Sequence, residues 1–442
     1  MADLTREEEL ALAEAGVPKS RWPVALRAFR HRDFGLFWIG MLVSVMGTWM
    51  QTIAQGWLVL HLRPENPSFY LGLVGMCGTL PMLLFTLPAG VVADRVRKRN
   101  LVLLTQTLAM LQAFALAILI YAGVVRVWHV MVLAACLGAI NAFDMPTRQA
   151  MTLELVTRED AINAVSINSS AFNMGRIVGP AVAGVIIMKA GIAGCFLINA
   201  LSFLAIIVAL AVIPARPAAT KRRGQVWEDV AEGVRWARRQ PVARALLLLT
   251  AVSGIFAMPY TTLMPVFASN IFHTDARGYG LLMLSVGVGA LCAAALLAST
   301  GHRWRLGSAA TLGSIFFPLG LLGLSCAPTY LTAMGTLFLI GLGLMTFNAV
   351  SNSMLQTAPP DALRGRVMSL RAFVFAGMSP IGAFQIGVVA SGLGHAAARR
   401  FGPDAAQYGP RGAVAIGAVM CLLAALLVLW RVPRVRKSKH GL

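Results

Sequence analysis

Twelve stretches of this chain run for roughly 20 residues each with almost no charge, the length a helix needs to cross the hydrocarbon core of a bilayer. Inside lipid every backbone N–H and C=O must be satisfied within the protein, which a helix does with its own bonds. The runs lie near 34–60, 69–93, 101–123, 129–147, 163–188 and 192–213, and then near 245–269, 278–300, 307–326, 331–356, 367–391 and 412–430. The expected fold is an all-α membrane protein with twelve transmembrane helices in two six-helix bundles.

Charge gives the orientation. A net charge of +20 raises the idea of a nucleic-acid partner, but that would need the Lys and Arg gathered on one soluble face. Here they fill the gaps between apolar runs. Placing the N-terminus inside assigns about 30 of the 38 basic residues to the cytoplasmic side, as the positive-inside rule requires. Both termini are then expected in the cytoplasm, with a lipid bilayer rather than a nucleic acid as the large partner.

The six cysteines fall within the apolar runs at scattered spacings, and the seven histidines lack ligand spacing, so neither a disulfide framework nor a metal site is expected. No cofactor is implied, and no Walker A sequence is present for ATP. The acidic N-terminus lacks the apolar core of a signal peptide. It suits a short cytoplasmic helix capped at Thr5, with Glu8 closing the box.

The longest charged interruption, 214–244, divides the chain into an N-terminal segment (1–33), one bundle (34–213), the linker, a second bundle (245–430) and a basic tail (431–442). Within the linker Trp227, Val230, Ala231 and Val234 recur at helical spacing, which predicts an amphipathic helix along the inner membrane face. A weak repeat relates the halves: TREDAINAV, from Thr157, follows the fourth run much as PPDALRGRV, from Pro359, follows the tenth. Related halves imply a pseudo-two-fold axis along the membrane normal, with a site at midplane between them.

Polar groups inside the runs mark where that site should be. Ser44, Thr48, Gln51 and Gln55 return to one face of the first helix at spacings of four, three and four, so this face is expected to see water or substrate. Each hydroxyl could instead bond its own backbone. Asn348, Asn352 and Gln356 form a similar ridge on the tenth. Arg176 is the most informative single residue, because a charge at the centre of a span costs at least roughly 2.5–3.5 kcal/mol and must face the interior. It shares its side of the helix with Ser166, Ser169 and Asn173. Lining the cavity and holding an anionic or carbonyl group is one role; a structural arginine held by carbonyls or by Asp144 is the other.

The loop after the second run, Gly90-Val-Val-Ala-Asp94-Arg95-Val-Arg97-Lys98-Arg99, resembles the loop motif of the major facilitator superfamily, with Arg97 where the family often has glycine. The fifth run, Gly175-Arg-Ile-Val-Gly179-Pro180-Ala-Val-Ala183-Gly184, resembles the antiporter motif of its drug exporters, with alanine at the penultimate position. FDMPTRQA, from Phe143, and LQTAPPDALRGRV, from Leu355, are similar to the branch that contains macrolide efflux proteins and the enterobactin exporter. The resemblance implies a monomeric multi-pass carrier of the bacterial inner membrane. It would export a lipophilic or amphipathic compound (drug, siderophore or lipid-like) by alternating access in exchange for protons. It further implies a gating latch of Gly90, Asp94, Arg95, Lys98 and Arg99, with Lys98 paired to Asp144, which is also the proton-coupling candidate. An uptake permease or a nontransporting sensor are the alternatives, whereas a membrane enzyme finds no catalytic constellation.

Overall fold

A computed structural model of the chain describes residues 24–214, 226–300 and 306–432. The expected helix capped at Thr5, the first part of the linker and the tail beyond 432 lie outside the described residues. Nearly everything described is helical.

Among the described residues eleven segments are long and apolar enough to cross a membrane, and one of them is two. Helix Ala161–Val212 has 52 residues, which at 1.5 Å per residue would be about 78 Å, more than twice the hydrocarbon thickness. It breaks at Gly191, where φ 70° and ψ 178° lie in territory that favours glycine. Neighbour order shows that the chain reverses there. Gly175 and Gly179 abut Val45 and Trp49 of the first helix, running parallel to it, whereas Ile206 abuts Gly40 and Asn199 abuts Gly47, running antiparallel. The spans are therefore Arg32–Leu62, Pro67–Arg95, Lys98–Tyr121, Val127–Glu154, 161–190, 192–212, Pro241–Ile271, Ala276–Thr300, Leu306–Cys326, Tyr330–Thr357, Asp361–Phe401 and Tyr408–Arg431, numbered first to twelfth below.

Three main apolar cores hold them, and their distribution defines the shape. The largest draws residues from both halves, including Trp57, Leu71 and Phe196 from one and Tyr260, Phe267, Leu337 and Ile386 from the other. A second lies wholly in the C-terminal half around Leu246, Phe347, Val367 and Ala425. A third lies wholly in the N-terminal half around Phe34, Val102, Met151 and Leu210. The halves are thus fused at one end and separate at the other.

Backbone contacts at the fused end depend on glycine. Gly72 of the second span faces Gly387 of the eleventh, so a Cβ on Gly72 would come within 2.8 Å of the Gly387 Cα. Gly184 of the fifth meets Ala276 of the eighth, and Gly280 meets the Pro180 carbonyl. Trp57 stacks on Tyr279 across the junction, with ring centroids 6.0 Å apart. At the open end each half carries its own clasp. A short 3-10 helix, Val24–Arg30, is tied to the start of the fifth span, where buried Asp160 takes Arg30 Nε at 2.7 Å and His31 Nε2 at 2.9 Å. Linker helix Val226–Arg239 docks on the C-terminal half, with Ala237 buried beside Val242 and Glu232 paired to Arg366.

Candidate functional site

The site begins with a helix that cannot stay regular. Pro259 and Pro265 lie inside the seventh span, and each removes an N–H that a regular helix would use. The span answers with two π-helical stretches, Ser253–Ala257 and Phe267–Ile271, flanking the short helix Tyr260–Val266. Such irregular turns re-aim side chains, and here Met258, Tyr260, Thr261 and Thr262 point into a cavity of about 300 Å³ between the halves. Glycines of neighbouring spans close over the loosened backbone: Gly382 lies against the Gly254 and Ile255 carbonyls, and Gly417 against that of Phe256.

The opposite wall comes from the first, second and fifth spans, with Trp49, Thr52, Gln55 and Arg176 among its residues. Among the described residues Arg176 is the only charged side chain lining the cavity, and its buried Nε has no hydrogen-bond partner among them. Of the structural alternatives, an arginine held by carbonyls or by Asp144, the second is not what is found, because Asp144 pairs with Arg148 at 2.5 Å. Ser166, Ser169 and Asn173 precede it on the fifth span, each bonded to its own backbone, the two serines exposed and Asn173 half-buried.

The polar stripe on the first span divides in two, which corrects the expectation of one wet face. Gln55 lines the cavity. Gln51 and Ser44 are buried inside the N-terminal half: Gln51 Nε2 donates to Gln112 Oε1 at 3.0 Å and Gln51 Oε1 accepts from Asn199 Nδ2, while Ser44 donates to Gln106 at 3.0 Å. Thr48 donates to the Ser44 carbonyl. Gln106 in turn donates to Asp144, as does Thr105, both at 2.8 Å, so one network joins the first, third and fourth spans. Asp144 is 1% exposed and lies about 15 Å inside the fourth helix, which continues to Glu154 rather than ending near 147. The ridge on the tenth span also serves a partner: Asn348 and Asn352 both accept from Arg371, and Gln356 is exposed.

The loop motif is arranged differently from the implied latch. Lys98 pairs with Glu154 at 2.5 Å, not with Asp144, because the fourth helix carries Glu154 down to the level of the loop. Arg99 donates to the Leu210 and Ala211 carbonyls, where a cation complements the C-terminal end of the sixth span. Arg95 is exposed, and a Cβ on Gly90 would meet nothing within 4 Å. Arg97 sits at φ −64°, ψ 116°, so the turn places no demand for glycine there. The Asp94 side chain lies outside the described residues. In the antiporter motif Gly175 and Gly179 seat the fifth span on the first, whereas Pro180 and Gly184 seat it on the eighth across the halves.

The sequence does not single out Arg371, although it lies inside the run drawn at 367–391, because a cation four residues from the start of a run, after Arg364 and Arg366, reads as part of the basic cytoplasmic flank. Nor does it single out Tyr260 and Tyr279, which read as ordinary apolar-run aromatics until the broken seventh span turns the first of them inward.

Two six-helix halves around a central cavity closed at one end define a membrane transporter of small molecules. The chain belongs to the family described as transmembrane secretion effector, whose profile matches residues 24–438, within the major facilitator superfamily. It is 28% identical over 372 residues to the multidrug efflux pump Tap of Mycolicibacterium fortuitum, covering 80% of this chain and 88% of that one. It is 26% identical over 365 residues to the staphyloferrin A transporter of Staphylococcus aureus, covering 81% and 89%, and 25% identical to the enterobactin exporter EntS of Shigella boydii, covering 80% and 84%. Among solved structures, a bacterial homologue of the human lysosomal transporter Spinster, in an inward-facing and unoccupied conformation, superposes with a TM-score of 0.72 at 12% identity, over 92% of this chain and 98% of that one. A peptide transporter superposes with a TM-score of 0.70 at 15% identity, covering 92% and 95%.

Proposed function

We propose that this transporter exports a small lipophilic or amphipathic organic compound (drug, siderophore or lipid-like) across the bacterial inner membrane by alternating access. The observation that carries the reading is Arg176, which has no carboxylate partner among the described residues and lines a largely apolar and aromatic cavity, dotted with Thr52, Gln55, Thr261 and Thr262, between two halves that meet at one end only. Largely apolar walls with one charge suit a molecule that is greasy along most of its length and polar at one point. The open end carries the N-terminal clasp, the linker helix and the Arg95–Arg99 loop, so the positive-inside rule puts it in the cytoplasm and makes this an inward-open carrier, with both termini inside. The relatives named for efflux and siderophore export support the outward direction.

Exchange for protons supplies the energy in this reading. No carboxylate lines the cavity among the described residues, which leaves Asp144 as the coupling candidate, acting through its contacts with Gln106 and Ser44 to the first span. The carrier works as a monomer, since the cavity is completed by one chain.

Transport into everted membrane vesicles tests both points. Substrates with an anionic or carbonyl group should lose about 10- to 100-fold in apparent affinity in Arg176→Gln, the worth of one charge-assisted hydrogen bond. Full transport by that variant across several substrates would remove the binding role. Uptake into such vesicles that ignored an imposed pH gradient would remove the proton from the cycle.

A further inference from the structure

Arg176 has a counterpart on the other half. Arg371 lies ten residues into the eleventh helix, about 15 Å from its start. It reaches across to the tenth span, where Nη1 donates to Asn352 Oδ1 at 3.1 Å and Nη2 donates to the Asn348 Oδ1 at 3.2 Å and the Asn348 carbonyl at 3.3 Å. Its Nε is buried and unpartnered, like that of Arg176. Neither arginine has a carboxylate partner among the described residues. The asparagines aim the guanidinium without cancelling its charge.

Position ties this group to the cavity. Leu344 lines the cavity from the tenth span, and Asn348 follows it by one helical turn toward the open end, about 40° around the same face. Arg371, bonded to Asn348, therefore lies about one turn from the cavity lining on its open-end side, while Arg176 lines the cavity on the opposite half. A charge kept inside a span without a protein counter-charge is costly and marks an ion or substrate pathway.

The geometry points to an anion-binding station at Arg371, Asn348 and Asn352 that receives the carboxylate, sulfonate or phosphate group of an amphipathic substrate before Arg176 takes it. This rests on the export reading and narrows its substrate class to organic anions. Two cations at different depths, one on each half, give the anionic group a partner at the entrance and another at the centre. A planar fork of donors is the side chain suited to such oxyanions.

Equilibrium dialysis of an arylsulfonate dye and of its neutral sulfonamide against the full chain in nanodiscs, with protein-free nanodiscs as blank, reads this directly. The wild type should prefer the sulfonate. Arg371→Gln should weaken sulfonate binding about tenfold, Arg371→Lys should restore most of it, and sulfonamide binding should stay level. Asn352→Asp gives a second route should the first variant not fold, since a carboxylate beside Arg371 supplies the missing counter-charge and should abolish the preference. Sulfonate affinity unchanged in Arg371→Gln or in Asn352→Asp would overturn the station. Replacing gluconate by chloride should leave sulfonate affinity intact, and displacement of the dye by chloride would assign the site to an inorganic ion and overturn it likewise. Binding is read without flux: a chain that binds the sulfonate through Arg371 yet exports nothing sinks the export reading alone, and one that exports the sulfonamide with no Arg371 dependence sinks the station alone.

Discussion

Charged side chains inside the N-terminal half sort themselves by depth. Asp144 is deep, and its ion pair with Arg148 is backed by hydroxyl and amide donors from Thr105 and Gln106. Breaking a buried pair from one side strands the other charge, so Asp144→Asn should cost about 3–5 kcal/mol, measured as a lowered unfolding midpoint in detergent. Lys98 and Glu154 meet nearer the helix ends. A double-mutant cycle on thermal stability should find coupling between Lys98→Met and Glu154→Gln, and none between Lys98→Met and Asp144→Asn; the reverse outcome would restore the implied latch. Arg176 stands out in the sequence because the cost of an intramembrane charge does not depend on the neighbours. It failed on Gln51 because the pattern that puts residues on one face cannot say whether water or another helix stands opposite. Only Gln112 and Asn199, 61 and 148 residues away, settle that.

At the level of helices, most apolar runs were legible to within a few residues, including the separation of 163–188 from 192–213 at Gly191, whereas the fourth and eleventh helices run on to Glu154 and Phe401 in polar turns that hydropathy leaves out. What was not legible is regularity. Hydropathy is the same whether the seventh span is a smooth rod or a helix broken around Pro259, although the prolines were visible. The broken form is sustained by Gly382 and Gly417, which bring the eleventh and twelfth spans against carbonyls that have lost regular partners. Filling either space with a large side chain forces backbone apart, so Gly417→Leu should destabilise the C-terminal half by about 1–3 kcal/mol, seen as earlier loss of helical signal on heating. An unchanged midpoint would mean that the seventh span has room to re-form.

For the molecule as a whole, an all-helical transporter fold followed from the sequence, but the state it adopts did not, because one sequence must encode every state of the cycle. The fused end is held by close glycine contacts between the second and eleventh spans. Gly387→Val should act as a wedge there and raise the reactivity of a cysteine placed at Thr262 toward an impermeant reagent added from outside, in a background lacking the six native cysteines. No gain in labelling would show that the two halves do not part at that seam.

The closed end also has a thermal consequence. It is sealed by hydrocarbon, aromatic faces and bare backbone, and parting it wets apolar surface, which carries a positive heat-capacity change and a grip that slackens on cooling. Chilling should therefore loosen this seal while the ionic clasps at the other end are little affected, and the temperature dependence of turnover should bend rather than follow a straight Arrhenius line.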